Sequence, residues 1–339
     1  MSIGKELTTE LKEIFESKFG SGIKRYELLS DGFLSNVYRV DLNSSSKFIL
    51  KIYKRGEKSD KLAKKEVWLL NCLPKLNIPG PSLRSYNVSR EPYFILIDFL
   101  SQKSLRESIN QYSIEELCKL FNLFGFYLSN LHSIHFSKFG DIEIVNSKPR
   151  VTTYIDMGFT NRLLTTPLNV SAQQFYRGIV KKRISIIKDS IFNNYYQKLT
   201  NFFKMNLELL GSKDEYKPML VHGDFQDKNI MTENKKLIGI IDYEFAYSGL
   251  SEVDLFVENI CCYEDFSTHE LKRIQKALFQ GYGYSYRDVE ITNKLKPFFI
   301  MFNLLDAMAN YSKIQNKLEN SKRKKLLKLI ERNLENYIS

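Results

Sequence analysis

The sequence is short of the residues that build metal cages and disulfide frameworks. It holds four cysteines, Cys72, Cys118, Cys261 and Cys262, and four histidines among 339 residues. No two of the cysteines have a CxxC spacing, and adjacent Cys261 and Cys262 cannot chelate as such a pair does, so they read as reduced structural thiols. His132 and His135 lie close together without a third ligand at fixed spacing, which argues against zinc. Long apolar runs are also missing. Stretches such as 93–97 are far shorter than the roughly 20 residues a membrane span needs, and the first ten residues lack the apolar centre of a signal peptide. A cytoplasmic chain without membrane attachment is expected. Glycine and proline are too few, at 16 and 8, and hydrophobic residues too many, at 43%, for a disordered chain. The length suits one large domain or two lobes.

A net charge of +11 raises the question of nucleic acid, and its location answers it. From Ser312 onward Lys313, Lys317, Lys322, Arg323, Lys324, Lys325, Lys328 and Arg332 face only Glu319, Glu331 and Glu335. Leu318, Leu326, Leu329 and Ile330 run among them as a helical stripe. The tail therefore reads as a solvated terminal helix docked by its apolar side, and no nucleic-acid partner is expected.

Periodicity divides the chain in two. Leu7, Leu11, Ile14, Phe15 and Phe19 share a helical face that Gly20 terminates. Short β-prone segments follow at 26–29, 37–42 and 48–53, separated by turn-like stretches at 30–32 and 43–46. A helix from about Asp60 to Leu73, stopped by Pro74, and an apolar strand at 93–99 complete the first hundred residues. Beyond them helical patterns dominate, apart from short strands around 222–242. The first is a helix capped by Ser113 and Glu116. The expected fold is α+β and bilobal, with a small antiparallel-sheet lobe over 1–102 and a larger, mainly helical lobe over 103–339.

The chemistry gathers in 220–242. A polar cluster, His222, Gly223, Asp224, Gln226, Asp227, Lys228 and Asn229, sits between apolar residues, and the apolar strand 237–241 runs straight into Asp242. A nucleoside triphosphate needs a divalent metal. Magnesium prefers one or two carboxylates with amide or water oxygens, and an acceptor hydroxyl needs a carboxylate to orient it. Asp224, Asn229 and Asp242 supply that set.

The first lobe offers a cation. Alternation along 48–53 puts Ile49, Lys51 and Tyr53 on one face, while in the next helix Glu66 interrupts the apolar stripe of Leu62, Leu69 and Leu73. A buried charge needs a partner, so Lys51 and Glu66 are expected to pair.

These motifs resemble the aminoglycoside phosphotransferase and choline kinase group, whose pattern is His-Gly-Asp, four residues, Asn, then Ile-Asp-aromatic-Glu. The matching residues are His222, Gly223, Asp224 and Asn229, then Ile241, Asp242, Tyr243 and Glu244. The resemblance implies a protein-kinase-like fold and ATP-dependent transfer to a small-molecule hydroxyl. It makes Asp224 the catalytic aspartate, Asn229 and Asp242 the magnesium ligands, His222 a brace, and Asp254 a support of the catalytic loop. The Lys51–Glu66 pair resembles the one that positions the α and β phosphates in kinase-like folds. Ser35 and Asn36 stand where a phosphate-covering hairpin belongs, although Gly32 is the only glycine there, and turn formation explains them equally well. Asp98 and Leu100 resemble the connection that meets adenine through its backbone, and Leu131 with His132 matches a Leu-His pair read as packing.

Asp227 and Lys228 depart from the Pro-Gly of many members, and solvation is the expected state of Asp227. The acceptor is expected among the aromatics Tyr154, Phe159, Phe175, Tyr176, Tyr195, Tyr196, Tyr263 and Phe266, near the acidic Glu258, Glu264 and Asp265. Such a lining suits a cationic acceptor, an aminoglycoside or a choline-like alcohol, while plain helix packing accounts for the same residues. A nucleotide-binding structural protein that has lost turnover is the alternative.

Overall fold

The computed structural model describes residues 9–31, 34–54, 56, 59–101, 103–152, 170–211, 216–260 and 266–314, together with 324, 327, 328, 330–332, 334, 335 and 337. In chain order the elements begin with α1 (Thr9–Phe19), β1 (Ile23–Asp31), β2 (Ser35–Leu42), β3 (Lys47–Tyr53), α2 (Ser59–Cys72), β4 (Leu83–Asn87), β5 (Phe94–Asp98), α3 (Leu105–Ser108) and α4 (Ile114–His132). They continue with β6 (Gly140–Val145), β7 (Lys148–Thr152), α5 (Ala172–Lys188), α6 (Tyr196–Asn206), β8 (Met219–Val221), β9 (Ile230–Glu233), β10 (Lys236–Ile240), β11 (Tyr247–Gly249), α7 (Val257–Ile260), α8 (Thr268–Tyr282) and α9 (Tyr286–Ile314). Among the described residues no helix is long and apolar enough to cross a membrane.

The chain forms two compact units, neither contiguous in sequence. The first comprises Met1–Ser108, Glu143–Arg150 and Lys228–Glu244; the second comprises Ile109–Ile142, Val151–Asp227 and Phe245–Ser339. A single cut after residue 102 therefore misses two later segments of the first unit.

In the first unit an antiparallel sheet has the order β1-β2-β3-β5-β4. Phe48, Leu50 and Ile52 of β3 point to one face, where Tyr38, Val40, Leu42, Phe94 and Leu96 join Phe15 of α1 in a buried cluster. Each such side chain contributes about 1.5–3 kcal/mol on burial. Of the opening helix's expected stripe, Phe15 and Phe19 pack here; Leu7 and the side chains of Leu11 and Ile14 lie outside the described residues. The opposite face of β3 carries Lys51 and Tyr53. Helix α2 ends at Cys72 and passes into a 3-10 turn, Leu73–Leu76, closed by Asn77 at φ 53°.

The β9–β10 hairpin turns at Asn234 and Lys235, both at positive φ. Main-chain bonds tie it to the first unit, from Ile240 to Pro79 (2.9 Å) and from Thr232 to Lys103 (3.2 Å).

In the second unit α4 packs on α8 at very close range. A Cβ on Gly281 would stand 1.7 Å from the Asn122 carbonyl oxygen and one on Gly125 2.1 Å from that of Leu278, so only glycine permits this crossing. Helices α5 and α9 meet through Tyr176, whose ring lies edge-on to Phe298, Phe299 and Phe302. The strands β6, β7 and β11 were not expected; in this unit β11 pairs with β8 and with Gly140 and Asp141 of β6. Alternation in Gly140–Val145 and a turn at Asn146 and Ser147, both at positive φ, are the local signals for the β6–β7 hairpin.

In the terminal segment Ile330 and Leu334 are buried, whereas Lys324, Lys328, Glu331, Arg332 and Glu335 are exposed. Of the expected apolar stripe Ile330 is thus buried; Leu318, Leu326 and Leu329, with Lys317, Glu319, Lys322, Arg323, Lys325 and the side chain of Lys313, lie outside the described residues.

Candidate active site

Strand β3 places Lys51 at the centre of the first unit's sheet, between Val37 of β2 and Ile95 of β5. Its ammonium is buried among three carboxylates. Glu66 lies at 2.8 Å, Asp242 at 3.0 Å and Glu244 at 2.8 Å. Burial alone would lower the Lys51 pKa, but Asp242, Glu244 and Glu66 outweigh it and hold the pKa well above its ordinary value. The expected Lys51–Glu66 pair is thus present, with Asp242 brought to the same ammonium.

Glu244, which the sequence marked only as part of a motif, is the addition. Its Oε2 lies 2.8 Å from the Lys51 ammonium, an ion pair, and has no other hydrogen-bond partner. Burial, with Asp242 and Glu66 nearby, raises its carboxyl to about 7 against the opposing pull of Lys51.

Asp242 leaves β10 with φ 69°, a left-handed conformation that an aspartate adopts at a cost of about 1 kcal/mol or more. The Ile241 amide donates to the Asn229 carbonyl at 2.9 Å, which fixes the Asn229 backbone beside that of Asp242. The amide oxygen of buried Asn229 and the carboxylates of Asp242 and Glu244 are hard oxygen donors, the chemistry that magnesium takes. No group of three His, Cys, Asp or Glu side chains able to hold a metal occurs among the described residues. Magnesium bound through one or two carboxylates and the substrate's phosphates does not need one.

Asp224 belongs to the second unit. The loop before it hangs on Asp254, which is buried and accepts the backbone amides of His222 (2.6 Å) and Gly223 (3.0 Å). Asp254 also meets His132 Nε2 at 3.2 Å, and His132 Nδ1 meets the Tyr282 hydroxyl at 2.9 Å. His132 therefore does more than pack, since it ends α4 as part of the brace. Gly223 has φ +76°, and a Cβ there would stand 2.4 Å from the Phe245 carbonyl oxygen, so no other residue fits. Buried His222 receives the Asp224 amide on Nδ1 at 3.3 Å, as befits a brace. Gln226, which the sequence did not single out, donates its amide to Asp224 Oδ1 at 2.6 Å and fixes the carboxylate's rotation.

Other expectations change. Asp227 is fully buried rather than solvated, at the start of a 3-10 turn, Asp227–Asn229. Ser35 and Asn36 open β2 instead of forming a turn, paired with Tyr53 and Ile52; Ser35 is buried, and Gly32 lies outside the described residues. The Asp98 carboxylate is held by Arg84 at 2.6 and 2.7 Å, and its backbone amide donates to the Ser82 carbonyl at 3.1 Å. Leu100 packs so tightly on Gly239 that a Cβ there would lie 2.2 Å from its Cδ1.

Of the aromatics assigned to the acceptor, Phe175 and Tyr176 are fully buried in the helical core and line no site. Tyr195, Tyr196 and Phe266 are partly exposed. Glu258 is paired with Lys296 at 2.5 Å. Tyr154, Phe159, Tyr263, Glu264 and Asp265 lie outside the described residues, as do Cys261 and Cys262.

Solved structures share this fold at low identity. APH(2'')-IIa in a ternary complex with streptomycin and ATP is 19% identical, with a TM-score of 0.59 over 97% of each chain. A protein described as a fructosamine-3-kinase, from Haemophilus somnus, is 18% identical, with a TM-score of 0.59 over 96% of each chain. Another APH(2'') protein, in complex with GDP and kanamycin, is 13% identical, with a TM-score of 0.62 over 97% of this chain and 99% of its own. No curated protein matches the sequence. Residues 25–291 match the model described as the phosphotransferase enzyme family, APH, a span that takes in Lys51, Glu66, Asp224, Asn229, Asp242 and Asp254. The chain belongs to the phosphotransferase enzyme family.

Proposed function

We propose that the protein is a small-molecule kinase that moves the γ-phosphoryl group of ATP to a hydroxyl of its acceptor, with magnesium held by Asn229 and Asp242. The observation that carries this reading is the buried Lys51, bound at once by Glu66 and Asp242. An ammonium placed so deep among carboxylates has little structural economy, whereas it suits a polyanionic ligand that arrives with its own cation. Bound magnesium would neutralise charge on the phosphates. Lys51 would hold phosphate oxygens, and Asp224, fixed by Gln226, would orient the acceptor hydroxyl and take its proton.

The nucleotides seen with relatives include both ATP and GDP, so the base is best tested with ATP and GTP in parallel. Their other partners, streptomycin and kanamycin, and the name fructosamine-3-kinase support a hydroxylated, amine-bearing acceptor such as an aminoglycoside, a choline-like alcohol or a related metabolite. A structural protein that only binds nucleotide is the second reading, and the intact set of Lys51, Glu66, Asp224, Asn229 and Asp242 weighs against it.

The test is a phosphoryl-transfer screen over aminoglycosides, amino alcohols, sugars and nucleosides, with products identified by mass. Asp224→Asn is expected to abolish transfer and to keep nucleotide binding. Wild-type turnover in that variant would sink the assignment.

A further inference from the structure

Lys51 has three N–H donors, and three carboxylates lie within 3.0 Å of it. A phosphate oxygen reaches the ammonium only if one carboxylate gives way. Asp242 is the one with another use, as a metal ligand in the reading above. Yet nothing in the charges alone makes Lys51 stay with Glu66 rather than follow Asp242 and Glu244, which together carry the greater pull.

Tyr53 breaks that tie. It lies two residues beyond Lys51 on the same face of β3, and it is buried. Its hydroxyl donates to Glu66 Oε2, the same oxygen that accepts from Lys51. Its ring lies 5.6 Å from the Lys51 ammonium. Burial, and then the charge of Glu66, raise the Tyr53 pKa well above its ordinary value, so the phenol stays a proton donor throughout the working range. A phenylalanine would fill the space without burying a hydroxyl, and the hydroxyl is used entirely on Glu66.

We propose that Tyr53 is a positioning residue for phosphoryl transfer: it pins the Glu66 oxygen so that Lys51 remains on α2 and can pass a donor from Asp242 to the nucleotide's phosphates. It acts through Glu66 on Lys51, and it makes nucleotide affinity depend on a residue outside every motif of the chain.

The inference rests on the nucleotide reading, and a double-mutant cycle separates the two. Dissociation constants of Mg·AMP-PNP and Mg·GMP-PNP are measured by calorimetry for wild type, Tyr53→Phe, Glu66→Ala and the double variant. Loss of one hydrogen bond to a charged group predicts about tenfold weaker binding for Tyr53→Phe in the wild-type background. In the Glu66→Ala background the same change is expected to matter less than about twofold, because the oxygen it acts on is gone. A purely structural tyrosine would weaken binding by the same factor in both backgrounds, and that result overturns the proposal. Unchanged affinity in Tyr53→Phe overturns it as well. If wild type binds neither analogue, the nucleotide reading itself fails. Tyr53→Met runs through the same cycle as a second variant without the hydroxyl, with thermal melting to show that each protein is folded.

Discussion

Replacing Asp254 by asparagine preserves the shape of the side chain and removes one acceptor. Asp254 Oδ2 takes the His222 amide and faces His132 Nε2, while Oδ1 takes the Gly223 amide. An asparagine has one carbonyl oxygen and one NH2 group. In either orientation the NH2 confronts a buried backbone N–H. With the oxygen in the Oδ2 place, the Gly223 amide is orphaned at a cost of about 1–3 kcal/mol, and the two bonds that survive fall from charge-assisted to neutral strength, a loss of about 1 kcal/mol each. The expected destabilisation is about 3–5 kcal/mol.

Turnover should fall further than stability suggests. Asp224 follows Gly223 directly, and a shift of about 1 Å in a catalytic group costs about 100-fold. Urea unfolding followed by far-ultraviolet circular dichroism measures the first effect. Phosphoryl transfer below the unfolding range measures the second. A variant within about 1 kcal/mol of wild type and with full turnover would show that Asp254 does not carry the loop.

Gly223→Ala is expected to be worse still for activity, since its Cβ would stand 2.4 Å from a main-chain oxygen at φ +76°; soluble protein with wild-type transfer rates would refute the geometry. Lys51→Met should weaken Mg·AMP-PNP binding by 10-fold or more, on the order of one lost charge-assisted contact, while leaving the fold intact by circular dichroism. Glu244 gives a pH signature in metal-free protein. Its carboxyl, raised from 4.5 to about 7, binds its proton more tightly in the folded than in the unfolded chain, so its contribution is full below 4.5 and is lost as pH rises through about 7. Glu244→Gln should flatten that fall, by at most about 3 kcal/mol, in urea midpoints measured with chelator at acidic and neutral pH. Parallel curves for variant and wild type would refute the assignment.

The pair Lys51 and Glu66 was legible because two periodicities, of two residues in a strand and of 3.6 in a helix, each left a charge on a buried face. Asp224, Asn229 and Asp242 stood out in the sequence because their chemistry is specific at that spacing, and the fold brings Asp242 to Lys51. Glu244 and Tyr53 were not, since nothing local says that Asp242 turns through a left-handed residue and carries Glu244 back to Lys51. Asp227 misled for a related reason. A polar run reads as solvated, yet within this one Asp227 is fully buried while its neighbour Lys228 is exposed. Phe175 and Tyr176 were ambiguous from the start, because aromatic residues at helical spacing look the same in a core as in a pocket.

The first unit is made of three separated stretches of chain, and this orders its assembly. When a ribosome has released the sheet and α2, Lys51 and Glu66 have been made, but β9 and β10, with Asn229 and Asp242, have not. They arrive late and must dock on finished structure, where the Ile240 amide finds Pro79 and the Ser108 hydroxyl finds Thr232 at 3.0 Å. Contacts of such sequence separation form slowly. Until they form, Lys51 and Glu66 stand without Asn229 and Asp242, so on the function proposed above the nascent protein lacks its metal ligands and cannot spend nucleotide before the rest of it exists.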